Sequence, residues 1–84
     1  MRISIRDAKT GKIFELEAYP ENTPNDLIET LIEEGYIESY PGGNPEYIWV
    51  INYKGRQIPS NMSLSEAGVT DGAELDLIPV PNPG

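Results

Sequence analysis

One amphipathic helical segment, standing between runs of alternating residues, most constrains the fold of this chain. Its apolar residues recur at helical spacing and form a single stripe: Leu27, Ile28, Leu31 and Ile32. Thr23 suits the N-cap, Pro24 suits the first helical position, and Asp26 completes a capping pattern three residues after the cap. Gly35 is a typical helix stop. We therefore predict one main helix over about residues 23–35.

Segments with a period of two, or rich in β-forming residues, predict strands on both sides of this helix. They cover Met1 to Arg6, Phe14 to Ala18, Tyr47 to Tyr53, Arg56 to Ile58 and Ala73 to Ile78. Turn residues at Lys9-Thr10-Gly11 and Lys54-Gly55 predict hairpins. Ser63 and Glu66 form a second capping pattern, which predicts a short helical turn over about residues 63–68.

Together, these elements predict an α+β fold in a chain of 84 residues, a length that allows one domain. Neither a helix nor a sheet can bury its apolar side alone, so the helix must cover one face of a mixed sheet of four to five strands. We place this domain at residues 1–78. Three prolines between Pro79 and Gly84 favour an extended, flexible C-terminal tail over residues 79–84.

Composition narrows the possible chemistry. The chain has no cysteine and no histidine, which removes thiol nucleophiles, thiolate zinc sites and the commonest general base. A net charge of −8 disfavours nucleic acid and favours a basic groove on a protein partner. Glu15 and Glu17 share one side of a strand, but such a pair in an acidic protein is far more often solvated charge than a catalytic dyad. We predict no enzymatic activity, cofactor or metal.

Location is constrained only weakly by the sequence. No apolar run approaches the length of a membrane span, and the first residues lack the apolar stretch of a signal peptide. We therefore expect a cytoplasmic protein that does not insert into membranes and is a monomer when alone.

The order of elements and several short segments resemble ubiquitin and its β-grasp relatives along nearly the whole chain. These segments are Met1-Arg2-Ile3, Thr10-Gly11-Lys12, Leu16-Glu17, Pro20-Glu21-Asn22-Thr23, Tyr53-Lys54-Gly55-Arg56-Gln57-Ile58 and Leu64-Ser65-Glu66. The stretch from Leu64 to Leu75 also looks like the YukD/EsaB family of bacterial ubiquitin-like proteins associated with type VII secretion. The resemblance implies a β-grasp roll that works by being bound.

The resemblance to ubiquitin implies a protein modifier of prokaryotic type, attached covalently through Gly84. Counted from Leu75, this glycine falls where the terminal glycine of ubiquitin falls. Its partners would be an activating or conjugating enzyme, or a deconjugating protease. Pro83 departs from the pattern, because modifiers and sulfur carriers normally have a second glycine there and proline fixes φ and lacks an N–H.

Strand alternation predicts a partner-binding face on the side of the sheet away from the helix. Arg6 of the first strand, Val50 and Asn52 of the third, and Ile78 and Val80 of the last fall on this side. Asn52 stands where the resemblance places the isoleucine central to ubiquitin's patch, so the apolar residues form a smaller, shifted patch. Trp49 and Ile51 alternate with these positions and should face the helix.

Two further interpretations remain open beside the modifier. The chain could be a noncovalent accessory component of a type VII secretion system, as its resemblance to YukD/EsaB implies. It could also be a ubiquitin-like adaptor domain. In both cases the same face would bind a protein partner without use of Gly84.

Overall fold

The helix forms where its sequence signals predict it. In the computed structural model, which describes residues 1–84, α1 spans Pro24–Glu33. The Asp26 N–H donates to Thr23 Oγ1 at 3.2 Å, and the Thr23 N–H donates to Asp26 Oδ2 at 2.9 Å, so the capping box is complete. Beyond the helix, Gly35 adopts φ 78°, which reverses the chain at low steric cost. The predicted helix is confirmed.

Five strands form one mixed sheet. In chain order they are β1 (Arg2–Asp7), β2 (Ile13–Glu17), β3 (Tyr47–Tyr53), β4 (Arg56–Ile58) and β5 (Glu74–Pro81). Their spatial order is β2-β1-β5-β3-β4, in which only the β1–β5 pair is parallel. A single 3-10 turn at Pro41–Gly43 lies in the long connection between α1 and β3. The α+β prediction is confirmed, and the arrangement is compatible with a β-grasp-like fold.

The core lies between α1 and one face of this sheet. Leu27 and Leu31 supply the buried stripe of the helix. The strands, the residue after β2 and the loop between β4 and β5 supply the remaining apolar side chains of the same cluster: Ile3, Ile5, Ala18, Ile51, Ile58, Leu64, Val69, Leu75 and Leu77. On β1, β3 and β5 these positions alternate with residues of the opposite face, as a pleated strand requires.

The end of β5 differs from the expectation of a free tail beginning at residue 79. The strand continues to Pro81 and pairs with β3 as far as Tyr47. One residue later, the Asn82 N–H donates to the Glu46 carbonyl at 2.7 Å. The predicted domain boundary after Ile78 is therefore wrong for residues 79–81, which belong to the sheet.

The prolines of β5 occupy positions at which a strand can tolerate them. In an antiparallel ladder only alternate residues bond to the neighbour, and the Asn82 bond to Glu46 shows that the even-numbered residues of β5 face β3. The backbone nitrogens of Pro79 and Pro81 therefore point away from β3, toward the side on which β1 has already ended. Their missing N–H groups remove no hydrogen bond to a neighbouring strand. The proline-rich composition predicted an extended tail, because composition does not show which backbone groups of a segment face a neighbouring strand.

The segment after β4 is less helical than predicted. Both capping bonds of the Ser63–Glu66 pattern form: the Glu66 N–H donates to Ser63 Oγ at 3.1 Å and the Ser63 N–H donates to Glu66 Oε1 at 3.4 Å. Residues 64–68 nevertheless form turns and no assigned helix. Gly68, with φ 79°, stops the turn before it can propagate.

The β3–β4 hairpin contains the one non-glycine residue with a positive φ. Lys54 has φ 52° and Gly55 has φ 78°, the signs of a type I′ turn between the paired residues Tyr53 and Arg56. Lysine is unfavourable in this left-handed conformation. Its ammonium lies 5.2 Å from the centre of the Tyr53 ring, a contact that offsets part of that cost.

We predict that Val80→Pro destabilises the fold whereas Pro81→Ala does not. Val80 directs its N–H toward Ile48 of β3, so a proline there removes a ladder hydrogen bond and lowers the free energy of unfolding by about 1–3 kcal/mol. Pro81→Ala, the control, changes a residue whose backbone nitrogen points away from β3, so it should cost less than about 1 kcal/mol. Urea denaturation measures the free energy of unfolding of both variants. Equal decreases would contradict the conclusion that Val80, and not residue 81, directs its N–H toward β3.

We predict that Lys54→Asn raises the free energy of unfolding by a few tenths to about 1 kcal/mol, because asparagine tolerates the left-handed conformation better. Lys54→Ala keeps the unfavourable conformation and loses the contact with Tyr53, so its midpoint in thermal denaturation should fall. Equal thermal midpoints for Lys54→Asn and Lys54→Ala would show that the left-handed conformation at residue 54 does not limit stability.

Candidate functional site

The outer face of the sheet, opposite α1, carries a contiguous apolar patch. We define the outer patch as Ile48, Val50, Ile78 and Val80. Cross-strand pairing places Val50 directly opposite Ile78, and Ile48 directly opposite Val80, on neighbouring strands. Directly opposed residues share a face and their side chains touch, so these four form one cluster. The structure thus brings together the three apolar residues that alternation had placed on this side.

Burial within the outer patch is uneven. Val50 is only 8% exposed, yet it does not belong to the core cluster beneath α1, so its own neighbours on the outer face cover it. Ile48, Ile78 and Val80 are half-buried. A partner would therefore contact these three side chains, with Val50 as their support.

Ile48 is the member of the patch that was missing from the sequence-based set. It alternates with Val50 and Asn52 along β3, and this signal was available. Its significance depends on β5 reaching Val80, because only that extension supplies its cross-strand neighbour. A sequence-based prediction that ends β5 at Ile78 therefore leaves Ile48 without a cross-strand neighbour.

Polar residues border the patch on the side toward β1. Asn52 lies opposite Asp76, and Asp76 lies in register with Arg6 of β1. Arg6 is exposed and makes no ion pair within 4 Å, so its guanidinium is available to a partner. Beyond it on β2, Ile13 faces the same side and is 62% exposed. The border is thus mixed, with one unpaired cation beside an apolar residue.

Gly84 lies apart from this patch. The last backbone bond between β5 and the β3 side involves Asn82, whose Oδ1 in turn accepts the Gly84 N–H at 3.1 Å. Gly84 itself is exposed, and no atom lies within 4 Å of where a side chain would begin. The predicted attachment residue is accessible, but only Pro83 separates it from residues held to the sheet.

Trp49 secures the long connection from α1 to β3. Its indole packs against the core, and the Nε1–H donates to the Glu38 carbonyl at 2.9 Å, which supplies the partner that a half-buried indole needs. Three tyrosines in and beside this connection, Tyr36, Tyr40 and Tyr47, are exposed, and Tyr36 stacks on Phe14 of β2 with ring centres 5.2 Å apart.

Other kinds of site find little support among the residues present. No group of three or more carboxylates is placed to hold a metal ion. None of the helices combines the length and apolar character needed to cross a bilayer. Comparison of the sequence with protein-family models and with curated proteins finds no match. The candidate surface on the sheet face is the outer patch, which cross-strand pairing defines.

We predict that Trp49→Phe loosens the connection around Glu38 while the sheet stays intact. Phenylalanine keeps most of the ring packing but cannot donate to the Glu38 carbonyl, which should cost about 1 kcal/mol. Amide hydrogen exchange should accelerate over residues 38–44 and stay slow in β1 and β5. Unchanged exchange in the loop would show that the indole bond does not hold it.

Proposed function

We propose that this protein is a noncovalent, ubiquitin-like docking domain that binds a protein partner through the outer patch. The observation that supports this proposal is the cross-strand pairing of Ile48 with Val80 and of Val50 with Ile78, on the face that α1 leaves open. Contiguous apolar clusters on an otherwise charged surface are typical of interaction sites.

The composition of the patch favours a partner with an apolar centre and an acidic or hydrogen-bonding group near its edge. Three half-buried aliphatic side chains supply the centre, and the unpaired guanidinium of Arg6 supplies a bidentate donor at the border. Asn52 and Asp76 lie between them and offer hydrogen-bonding groups.

The resemblance between residues 64–75 and the YukD/EsaB family makes a component of a secretion machine one candidate partner. Alternatively, this chain acts as an adaptor and its partner belongs to a larger assembly of another kind. Both rest on the same surface, so one set of variants tests them together.

Covalent attachment through Gly84 receives less support from the geometry. An activating enzyme must thread the last residues of a modifier through a narrow channel, which requires free chain before the glycine. Here β5 is paired through Pro81, and Asn82 is bonded to Glu46. Attachment would therefore require the end of β5 to leave β3, in addition to accepting Pro83 in the channel.

We expect Ile78→Asp to abolish capture of the partner while leaving the fold intact. The immobilised wild-type protein and variants would be exposed to extract of the source organism, and the retained proteins quantified by mass spectrometry. A carboxylate in the middle of the apolar patch cannot be desolvated without a large cost, so binding should fall by at least about tenfold.

Tyr19→Asp is the matched control, because it makes the same charge change at a residue that is 64% exposed and distant from the patch in the sheet. Circular dichroism establishes that each variant is folded. Proteins retained equally by wild type, Ile78→Asp and Tyr19→Asp would refute the proposed surface.

Removal of Gly84 separates the docking function from the modifier function. The docking proposal expects that loss of this residue leaves capture unchanged. If intact-mass measurements in the extract instead show discrete adducts that vanish with Gly84, the protein acts as a modifier and the docking proposal is overturned as its principal function.

A further inference from the structure

The edge of β3 is open along its first half. β4 pairs with β3 only from Ile51 to Tyr53, so no strand lies beside Tyr47 to Val50 on that side. Two residues beyond the end of β4, the Ser60 carbonyl accepts the Asn25 N–H of α1 at 3.2 Å. The chain after β4 is thus bonded to the start of α1 and not to β3.

The backbone groups of Trp49 face this open edge without partners. The bond from the Asn82 N–H to the Glu46 carbonyl shows that the backbone N–H and C=O groups of the even-numbered residues of β3 point toward β5. The backbone groups of the odd-numbered residues therefore point toward the opposite edge. The Tyr47 N–H is used by the Asn44 carbonyl at 3.1 Å, whereas no loop or turn residue bonds the N–H or carbonyl of Trp49. One donor and one acceptor therefore point away from the sheet at the centre of the open edge.

An uncharged groove of about 310 Å³ runs along this edge, between β3 and the first turns of α1. Pro24 and Ile28 line it from α1, Ile48 and Trp49 line it from β3, and Tyr40 lines it from the connection before β3. An extended chain beside Trp49 could bond the free backbone groups and place alternate side chains in the groove, which is the geometry of β-strand addition.

Acidic residues are concentrated in the part of the chain that contains α1 and β3. All six basic residues lie outside residues 13–53, which include nine of the fourteen acidic residues: Glu15, Glu17, Glu21, Asp26, Glu29, Glu33, Glu34, Glu38 and Glu46. Glu38 and Glu46 lie in the connection that leads to the start of β3: the Glu38 carbonyl accepts the Trp49 Nε1–H, and Glu46 directly precedes Tyr47. Lys54 and Arg56 lie at the hairpin that ends β3. An occupant with positive charge at the Tyr47 end is therefore favoured.

We propose that the open edge of β3 binds a short extended segment of a partner protein, apolar in its centre and carrying lysine or arginine at the end beside Glu38 and Glu46. The segment adds as a strand at Trp49 and inserts side chains against Ile28 and Tyr40. A second copy of this chain is a poor occupant, because it would bring another acidic surface to the same place. This surface adjoins the outer patch, with which it shares Ile48 and Val50, but it uses the backbone edge of β3 and the side of α1 rather than Ile78 and Val80.

The test uses synthetic peptides and the full chain labelled for NMR. The first peptide is Lys-Lys-Val-Thr-Val-Thr-Val, the second replaces both lysines with glutamate, and the third replaces the central valine with proline. The first peptide should shift the amides of Tyr47 to Val50 and slow hydrogen exchange at the Trp49 N–H, which becomes bonded. The glutamate peptide should bind at least about fivefold more weakly, and the difference should shrink at high salt.

Variants locate the site and separate it from the outer patch. Tyr40→Ala removes one of the side chains that line the groove and should weaken binding of the lysine peptide. Tyr36→Ala changes a residue of comparable exposure outside the groove and should not weaken it. Ile78→Asp should leave peptide binding unchanged, so failure of the docking proposal and failure of this one are distinguishable.

Three outcomes would overturn the inference. The first is an unprotected Trp49 amide with every peptide, and the second is equal binding of the lysine and glutamate peptides. The third is a shift of the Tyr47 to Val50 amides on dilution of the protein alone, which would show that the edge pairs with a second copy.

Discussion

The pairing of β5 with both of its neighbours is the interaction on which the rest of the structure depends. The odd-numbered residues of β5 bond to β1 and the even-numbered ones to β3, so this strand joins the N-terminal hairpin to the second hairpin. The same register directs Leu75 and Leu77 into the core and Ile78 and Val80 to the outer face. A slip of one residue would exchange these two sets and destroy both surfaces.

Local signals in the sequence were sufficient for the helix and for most strands. The capping box at Thr23 and Asp26 and the stop at Gly35 are read from neighbouring residues, and the structure reproduces them. The end of β5 could not be predicted in this way, because whether Pro79 and Pro81 are tolerated depends on where β1 ends and which N–H groups β3 requires. Those are relationships between distant segments, which local composition does not report.

The candidate surfaces show the same division. Alternation places Ile48, Val50, Ile78 and Val80 on the outer face, whereas the contact between Ile48 and Val80 depends on the extension of β5 beyond Ile78. The open edge at Trp49 was not predictable, because it depends on where the pairing of β4 with β3 stops, which no short sequence pattern signals. The asymmetric distribution of charge was visible in the sequence, but its relevance depends on the groove it surrounds.

The parallel contact between β1 and β5 has a consequence for how the chain reaches its native state. Ser4 pairs with Glu74, so the centre of the sheet joins segments from opposite ends of the sequence. Closing so long a loop before its contacts are rewarded slows folding relative to proteins built from local contacts. On the ribosome, the β1–β2 hairpin and α1 must wait with their apolar faces uncovered until β5 has been synthesised, and during that interval protection by chaperones would be most valuable.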